Sequence, residues 1–454
     1  MSEQLSRRTK LFYGVGDVGL SLTSTVIGAY FALFLTDVVG LNPRIAAAAI
    51  FVGRSWDYIN DPLVGHISDR TRTRWGRRRP FLLFGFLPFA LGFAILWWRP
   101  PIGNQIGLGA YYTVAYLLYE AAATLIYVPY SALTPELTLD YDERTALTSY
   151  RMFFSILASL VAFTVPLAFV GRFVPDNASR VLIMGAVCGL VSALPFLLTF
   201  VGTRERQAYQ EQVGPTIGAS LKAAVKNRPF VFGMAIYLLT WVAVTLLEAM
   251  LLYFVKYGIE REGQSDWIML TIFAVAMAAL PFWEWASRHW NKRWAYVAGI
   301  AFWAVVQIVI VTLTPSTGLP LIFVLCAMAG IGVSVAHVLP FSMIPDAIEW
   351  DELQTGQRHE GVFYGLVTLA QKVATSLALP LALLLLDATG YVPNAAQQSP
   401  RALMGIRLLT GPIPAVLLCA GILFALIYPL DRDQHAQVRR ALEARRAGQV
   451  EETT

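Results

Sequence analysis

The sequence predicts an all-α membrane protein in which twelve transmembrane helices form two bundles of six. The first observation is composition: 56% of the 454 residues are hydrophobic, the mean hydropathy is +0.55 and only 14% are charged. Soluble proteins carry about 25% charged residues. The second is that apolar stretches of roughly 20 residues, enough to span a bilayer, recur along the chain. The third is that the two halves of the sequence repeat short elements.

Apolar segments account for the count of twelve helices. The fourth, fifth, eighth and eleventh segments are the least apolar, so that a count of eleven is the alternative. The segments cover residues 11–36, 42–66, 80–99, 106–134, 147–170, 181–202, 229–257, 266–287, 294–313, 319–345, 361–388 and 403–430.

The distribution of charge predicts how the chain crosses the membrane. The sequence has 35 Lys and Arg residues and a pI near 9.0. With twelve crossings, most of these residues fall on the side of the termini, as the positive-inside rule requires of the cytoplasmic side. We therefore expect a monomeric, multi-pass protein of a bacterial inner membrane, surrounded by lipid, with both termini in the cytoplasm. Because the basic charge is explained by orientation, no nucleic-acid partner is expected.

The sequence offers few motifs for chemistry. It contains no Walker A pattern, and the glycines of "GVGDVG" lie within the first apolar segment rather than after a strand. The three cysteines and five histidines show no metal-ligand spacing. We therefore expect neither an enzyme, nor an ATP-driven pump, nor an organic cofactor.

A polar stretch divides the chain. Residues 203–228 are predicted to form a cytoplasmic linker between one bundle over 1–202 and a second over 229–430, with a tail over 431–454. After the second and eighth segments, "SDRTRTRW" resembles "SRHWNKRW". After the fourth and tenth, "PYSALTPELTLDYDER" resembles "PFSMIPDAIEWDELQ". Parallel halves with a substrate site between them are typical of secondary transporters.

Polar side chains interrupt the second apolar segment. Asp57 and Asp61 lie four residues apart and share a helix face, with Asn60 beside them and Arg54 one turn earlier. A charged group at bilayer depth costs about 2.5–3.5 kcal/mol, so we expect the two carboxylates to bind a small monovalent cation together with amide and hydroxyl oxygens. Pro62 cannot donate a helical hydrogen bond and loosens this turn. The alternative is an internal Arg54–Asp57 salt bridge.

Several elements resemble one family. They are "YGVGDVG", "LTDVVGL", "GRSWDYINDPLVGHISDRTRTRWGRRRPF" and "VPYSALTPELTLDYDERTALTSYRMFF". They are similar to the glycoside–pentoside–hexuronide:cation symporters, the melibiose permease group of the major facilitator superfamily. The resemblance covers essentially the whole chain and implies a major facilitator fold. "VPYSALT" and "YRM" also resemble the sodium-coupled lysophosphatidylcholine symporters of animals, a related branch.

The resemblance implies a cation site. The two helix II carboxylates and the asparagine between them correspond to Asp57, Asp61 and Asn60, and a helix IV threonine corresponds to Thr124. In the family these groups bind Na⁺, Li⁺ or H⁺, so that Asp57 and Asp61 are the candidate Na⁺ ligands. The helix XI lysine corresponds to Lys372.

The implied solute site departs from the family. The sugar-binding aspartates of helices I and IV fall at Ser21 and Tyr127, and the stacking tryptophan falls at Ser131. The family's arginine corresponds to Arg151, or to Met152 in an ungapped alignment. These departures put sugar specificity in doubt and leave cation coupling untouched.

Two other acids are candidates to replace the missing carboxylates. Asp17 lies one turn from Ser21, and Glu120 shares a helix face with Thr124 and Tyr127. The alternative for Asp17 is a pair with Lys10 or a neighbouring helix. The alternative for Glu120 is an interhelical pair, for instance with Arg151. Glu248 is a further buried acid, in the second half.

Lys372 lies within an apolar helix, from whose middle it cannot easily reach water. We expect it to pair with Asp57 or Asp61 when no cation is bound, or to hold a substrate anion. The alternative is a structural or snorkelling role. The basic run over 70–79 is expected to orient the chain and, in the outward-open state, to form salt bridges across the two bundles on the cytoplasmic face, with acids in "PELTLDYDER" and "PDAIEWDE".

The sequence thus predicts a cation-coupled symporter that imports a solute with Na⁺ or H⁺ by alternating access. The leading solute is a sugar or glycoside, because most of the resembling family carries these. The alternative is a lysophospholipid or another amphiphile, which would explain the missing sugar carboxylates. A membrane sensor without turnover is a third reading, although no signalling domain supports it.

Overall fold

The computed structural model describes residues 5–138, 141–205, 224–356, 360–395 and 397–451. The long elements of these residues are all helices, which confirms the all-α prediction. In the first half they are α1 (Arg7–Gly14), α2 (Asp17–Val26), α3 (Pro43–Ser55), α4 (Asp57–Arg70), α5 (Arg79–Leu96), α6 (Gln105–Ala132), α7 (Thr134–Leu137), α8 (Tyr141–Val170) and α9 (Ala178–Gly202).

The second half contributes the remaining helices. They are α10 (Arg228–Tyr253), α11 (Ser265–Trp290), α12 (Lys292–Ile310), α13 (Leu319–Thr355), α14 (Glu360–Ala388), α15 (Pro400–Thr410), α16 (Pro412–Leu426) and α17 (Arg432–Glu451). Widened π-helical turns follow α2 at Ile27–Phe31 and Phe34–Val38, and another follows α10 at Phe254–Gly258.

Ten of the helical segments are long and apolar enough to cross a membrane by length and composition alone. The predicted second and fourth spans, α3 with α4 and α6, fall outside that set. Arg54, Asp57 and Asp61 lower the hydropathy of the second span, and Glu120 with several tyrosines lowers that of α6. With these two, the described residues are consistent with the twelve predicted spans.

One helix end differs from the prediction. The tenth span is expected to end at residue 345, whereas α13 continues to Thr355 through Pro340 and Pro345. The added turns carry "DAIEWDELQT", whose Glu, Leu, Gln and Ala residues favour helix. The helix ends at Gly356, which adopts φ +71°, a left-handed conformation that glycine accepts at a helix C-terminus without a Cβ penalty.

The chain divides into two compact units. Unit 1 comprises Met1–Gln212, Glu248–Leu270 and Leu379–Ile406, and unit 2 comprises Val213–Leu247, Thr271–Ala378 and Arg407–Thr454. The boundary after Gln212 falls within the predicted linker, of which residues 206–223 lie outside the described part. Unit 1 therefore includes the ends of several second-half helices. The assignment of the two sequence halves to two bundles stays a prediction.

Small residues set the packing that positions the site in unit 1. α6 packs against α3, α4 and α5, and α2 packs against α8 and α9. At Gly53 of α3, an added Cβ would clash with the ring of Tyr116 on α6, so glycine permits the close approach of the two helices. This approach brings the start of α4 beside the middle of α6, where Thr124 lies.

Candidate functional site

Asp57 and Asp61 meet Thr124 between α4 and α6. The Thr124 hydroxyl lies 3.1 Å from Asp61 Oδ1 and 3.5 Å from Asp57 Oδ1. Thr124 is buried and the two aspartates are half-buried. The structure therefore places the two predicted carboxylates and the predicted hydroxyl around one position.

The helical hydrogen-bond pattern changes just before these carboxylates. α3 ends at Ser55 and α4 begins at Asp57, while Trp56 between them keeps helical φ and ψ angles and donates to the Gly53 carbonyl, three residues back. Pro62 lies inside α4 and, lacking an N–H, donates no helical hydrogen bond to the Tyr58 carbonyl. The chain is therefore helical through the site, with a local loss of regular hydrogen bonding.

Asn60 and Arg54 bind the neighbouring helix α6. Asn60 is buried, and its Nδ2 donates to the backbone carbonyl of Glu120 at 3.5 Å. Arg54 Nε donates to the hydroxyl of Tyr116 at 3.0 Å. Both contacts hold α3 and α4 against α6, beside the two carboxylates and Thr124.

The donor set fits a small monovalent cation. Two carboxylates, one amide and one hydroxyl are hard oxygen ligands, which suit Na⁺ better than a soft transition metal. Within the described residues, no group of three or more His, Cys, Asp or Glu side chains could hold a metal ion. A Na⁺ site built on the carboxylate pair, with amide and hydroxyl oxygens, stays a prediction.

Asp17 and Arg151 form an ion pair between α2 and α8. Arg151 reaches Asp17 Oδ1 with its terminal nitrogen at 3.0 Å and with Nε at 3.3 Å. The guanidinium lies 4.9 Å from the centre of the Tyr130 ring. Lys10, the other partner considered for Asp17, instead binds Glu143 at 2.8 Å. A neighbouring helix thus supplies the partner of Asp17.

Hydroxyl groups line the same α2–α8 contact. The Ser21 and Ser155 hydroxyls lie 2.5 Å apart, and Thr25 donates to Ser159 at 3.2 Å. Both pairs lie further along α2 and α8 than the Asp17–Arg151 pair. Ser21, where the family has a sugar-binding aspartate, is therefore tied to α8 by a hydrogen bond between hydroxyls.

The other predicted solute residues lie in both units. Glu120 and Tyr127 are half-buried on α6, one turn before and one turn after Thr124. Lys372 is half-buried on α14 in unit 2, where its carbonyl accepts a hydrogen bond from Thr375 at 3.2 Å. Its neighbour Gln371 accepts one from Tyr237 at 2.7 Å. The role of Lys372 beside the cation site stays a prediction.

Sequence reasoning missed one buried acid. Asp37 is fully buried in unit 1 and accepts hydrogen bonds from Lys256, Tyr257 and Tyr391. In the sequence analysis its segment, "LTDVVGL", was used only as one of the elements that resemble the symporter family. Two signals were available in the sequence: an aspartate at the end of the first apolar segment and a lysine at the end of the seventh. Local patterns could not show that the two side chains meet.

Comparison with known proteins identifies the family. The chain matches the sequence model of the family described as MFS/sugar transport protein over residues 12–432. An uncharacterized symporter from Synechocystis is 33% identical, over 98% of this chain and 98% of its own length. The sodium-dependent lysophosphatidylcholine symporter 1-A of Danio rerio is 29% identical, over 96% of this chain and 88% of its own length.

Solved structures agree on the fold. The D-xylose-proton symporter superposes with a TM-score of 0.64 at 14% identity, over 93% of this chain and 97% of its own. The nucleoside transporter NupG gives 0.61 at 12% identity, over 93% and 98%. These likenesses concern the fold alone and confirm the predicted major facilitator architecture.

The resemblance is thus confirmed at the level of the superfamily, and the melibiose permease group stays a hypothesis. The chain is a multi-pass membrane transporter of the major facilitator superfamily and belongs to the family described as MFS/sugar transport protein.

Proposed function

We propose that the protein is a Na⁺-coupled symporter whose cation binds between α4 and α6. The observation that carries the proposal is the convergence of Asp57 and Asp61 on Thr124, at 3.5 and 3.1 Å. We expect Asn60, whose amide nitrogen donates to the Glu120 carbonyl, to offer its amide oxygen to the cation. The cation is bound by side chains of two helices, so its arrival draws α4 and α6 together.

The energetics of the carboxylate pair explain the coupling. Two carboxylates within about one helical turn repel each other, and each is costly at membrane depth, by about 2.5–3.5 kcal/mol. A bound Na⁺ offsets that repulsion and fixes the two side chains. A solute that binds the resulting arrangement better than the cation-free one favours Na⁺ binding by the same factor, because coupling is reciprocal.

Na⁺ is the preferred ion within this proposal. Relatives that align over 96–98% of this chain are named sodium-dependent symporters. A proton would neutralise one carboxylate without needing the Thr124 oxygen, whereas Na⁺ uses all the oxygens. Li⁺ would fit the same oxygens.

For the solute we propose an amphiphile with a polar headgroup, of the lysophospholipid class. The sugar-binding carboxylates of the melibiose permease group fall at Ser21 and Tyr127, so these positions lack the charged acceptors that bind sugar hydroxyls there. The relatives named for lysophosphatidylcholine support the same class. A headgroup would meet the charges of Asp17, Glu120 and Arg151, which can bind a zwitterion.

A sugar or glycoside is the second candidate. The description of the matched family favours it, and Asp17 and Glu120 each supply a carboxylate near the expected sugar site. The two candidates differ in shape, because an amphiphile needs room for a long apolar tail and a sugar needs a closed polar cavity.

Uptake into proteoliposomes tests the proposal. With an inward Na⁺ gradient, we expect uptake of labelled lysophosphatidylcholine that collapses when the gradient is removed, and little uptake of glycosides. Asp57→Asn and Asp61→Asn each remove a charged ligand without changing shape, and both should abolish the Na⁺ dependence. The matched control is Asp69→Asn on the same helix, where the carboxylate is 56% exposed and pairs with Arg78.

The outcomes test the proposed cation site and the proposed solute separately. Normal Na⁺ stimulation in both site variants would exclude the proposed cation site. Uptake of glycosides instead of lysolipid would not affect the proposed cation site, but it would show that the solute is a sugar or glycoside. Uptake driven equally by a proton gradient alone would replace Na⁺ by H⁺.

A further inference from the structure

Asp37 is the most completely enclosed acid described in unit 1. Neither it nor the preceding Thr36 has any solvent exposure. Both lie in the π-helical turn Phe34–Val38, at the C-terminal end of the first membrane span. With twelve crossings this is the side of the membrane opposite to the termini, here called the far side.

The partners of Asp37 come from three distant segments of the chain. Lys256 and Tyr257 contact one carboxylate oxygen, and Tyr391 contacts the other. Thr36 also donates to the carboxylate, at 2.9 Å, and Asn394 donates to the Asp37 carbonyl. All of these residues belong to unit 1. Asp37, Lys256, Tyr257, Tyr391 and Asn394 are called the Asp37 cluster below.

The members of the cluster also bind one another. Lys256 Nζ donates to Asn394 Oδ1 at 3.1 Å and to the Phe173 carbonyl at 3.3 Å. The Tyr391 and Tyr257 hydroxyls lie 3.3 Å apart, and the Asn394 backbone N–H donates to Tyr257 at 3.1 Å. Lys256 is therefore shared among a carboxylate, an amide and a carbonyl, so that its charge is compensated in the buried site.

The backbone is specialised at each contributing segment. Asp37 and Lys256 lie in separate π-helical turns, Phe34–Val38 and Phe254–Gly258. Asn394 adopts φ +53°, in the left-handed region. Such turns are rare and occur frequently at functional sites, and strained backbone persists where surrounding contacts hold it. Three irregular segments thus meet at one carboxylate.

The positions of these residues in the sequence show which membrane spans the cluster connects. Asp37 ends the first span, Lys256 ends the seventh and Tyr391 follows the eleventh, so the cluster joins the first half of the sequence to the second on the far side. In a symporter that works by alternating access, a solute arriving from the far side has to pass between helices of the two halves. These hydrogen bonds must then break and re-form in each cycle.

We propose that the Asp37 cluster is the far-side gate of this transporter, holding the first, seventh and eleventh spans together until a solute is admitted from that side. The inference deepens the proposed symport, since a gate has a role only if the protein transports. Tyr391 remains a hydrogen-bond donor throughout the physiological range, because burial raises the pKa of its hydroxyl well above the ordinary value.

Distance measurements between spin labels test the gate directly. The labels are placed on Asp176→Cys and Gln397→Cys, both at exposed far-side positions, in full-length protein whose Cys188, Cys326 and Cys419 are replaced by alanine. We expect Asp37→Asn to raise the population of the longer distance about tenfold, the factor that one lost charge-assisted hydrogen bond produces. Tyr391→Phe, which removes a single hydroxyl, should shift it in the same direction by less.

The control is another ion pair that joins the halves on the far side. Asp387→Asn removes the partner of Arg44, whose side chain is 71% exposed, and should leave the distances unchanged because exposed pairs contribute little. If Asp37→Asn does not fold, Tyr391→Phe decides alone. Distances like those of the control in every cluster variant that folds would overturn the gate. The measurement uses neither Na⁺ nor solute, so it fails or succeeds independently of the uptake tests.

Discussion

Among the residues that the structure describes, the ion pairs named here differ between the two ends of the membrane helices. On the far side, Asp37–Lys256, Arg44–Asp387 and Arg172–Glu262 each join a residue of the first sequence half to one of the second. On the terminal side, Lys10 binds Glu143, Arg77 and Arg78 bind Glu136, and Lys292 binds Asp346. Each of these terminal-side pairs joins two residues of the same half.

The terminal-side pairs occur at the repeated sequence elements. Arg77 and Arg78 follow the second span and bind Glu136 of "PELTLDYDER", while Lys292 follows the eighth span and binds Asp346 of "PDAIEWDE". The predicted partner of the basic run is thus found in "PELTLDYDER", within the same half, whereas Asp346 of "PDAIEWDE" binds Lys292. The predicted salt bridges across the two bundles stay a prediction. The same basic-to-acidic contact recurs in each half, so it stiffens a half by itself.

Glu205 adds to the first of these contacts. Its carboxylate accepts from the backbone N–H groups of Arg77, Arg78 and Arg79 at 2.6, 2.8 and 2.9 Å. These groups precede or begin α5, and a helix N-terminus favours a negative charge. The difference between the ends suggests a rule: bonds within a half keep its shape, whereas bonds between halves have to open during transport.

The largest expected effect comes from breaking a pair within one half. Glu136→Gln removes the buried carboxylate that Arg77 and Arg78 share, and leaves the buried Arg78 with only the exposed Asp69 as an acidic partner among the described residues. Loss of one partner from a buried ion pair destabilises a protein by about 3–5 kcal/mol. We expect a lower thermal unfolding temperature, measured in detergent, with unchanged far-side label distances. Asp69→Asn, at the exposed partner of Arg78, is the control. A change in far-side distance without loss of stability would contradict the rule.

A smaller effect is expected from Lys372, which lies in unit 2 between the two ends. If this lysine compensates the aspartates in the absence of Na⁺, Lys372→Ala should weaken the enhancement of solute binding by Na⁺ by about 1–3 kcal/mol. Calorimetry with and without Na⁺ measures it, and Lys372→Arg, which keeps the charge, should retain most of the coupling. An undiminished Na⁺ enhancement in Lys372→Ala would restrict the lysine to a structural role.

The smallest effect is expected where a pair between halves is exposed. Arg172 lies 3.7 Å from Glu262 and its side chain is 66% exposed. Such pairs contribute about 0–1 kcal/mol. Arg172→Gln should therefore change neither the unfolding temperature nor the far-side distances, in contrast to Asp37→Asn. A large shift of the far-side distances in Arg172→Gln would mean that any ion pair connecting the two halves stabilises the closed gate, whether or not the pair is buried.

The sequence predicted the broad architecture because hydropathy is a local property. Runs of about 20 apolar residues identify spans wherever they occur, and a spacing of four places Asp57 and Asp61 on one helix face whatever surrounds them. The contact with Thr124 required the family resemblance, since that residue is 63 positions from Asp61. The acidic segment that binds Arg77 was likewise indicated by the sequence, whereas the partner of Lys292 was not predicted.

Only the tertiary structure decided which buried charges meet. Asp17 had several chemically reasonable partners along the chain, and the packing of α2 on α8 chose Arg151 over Lys10. Asp37 meets Lys256 and Tyr391 across separations of 219 and 354 residues. The physical reason is that the sequence determines the polarity and period of each helix locally, whereas the partner of a buried charge depends on how helices distant in the chain pack together.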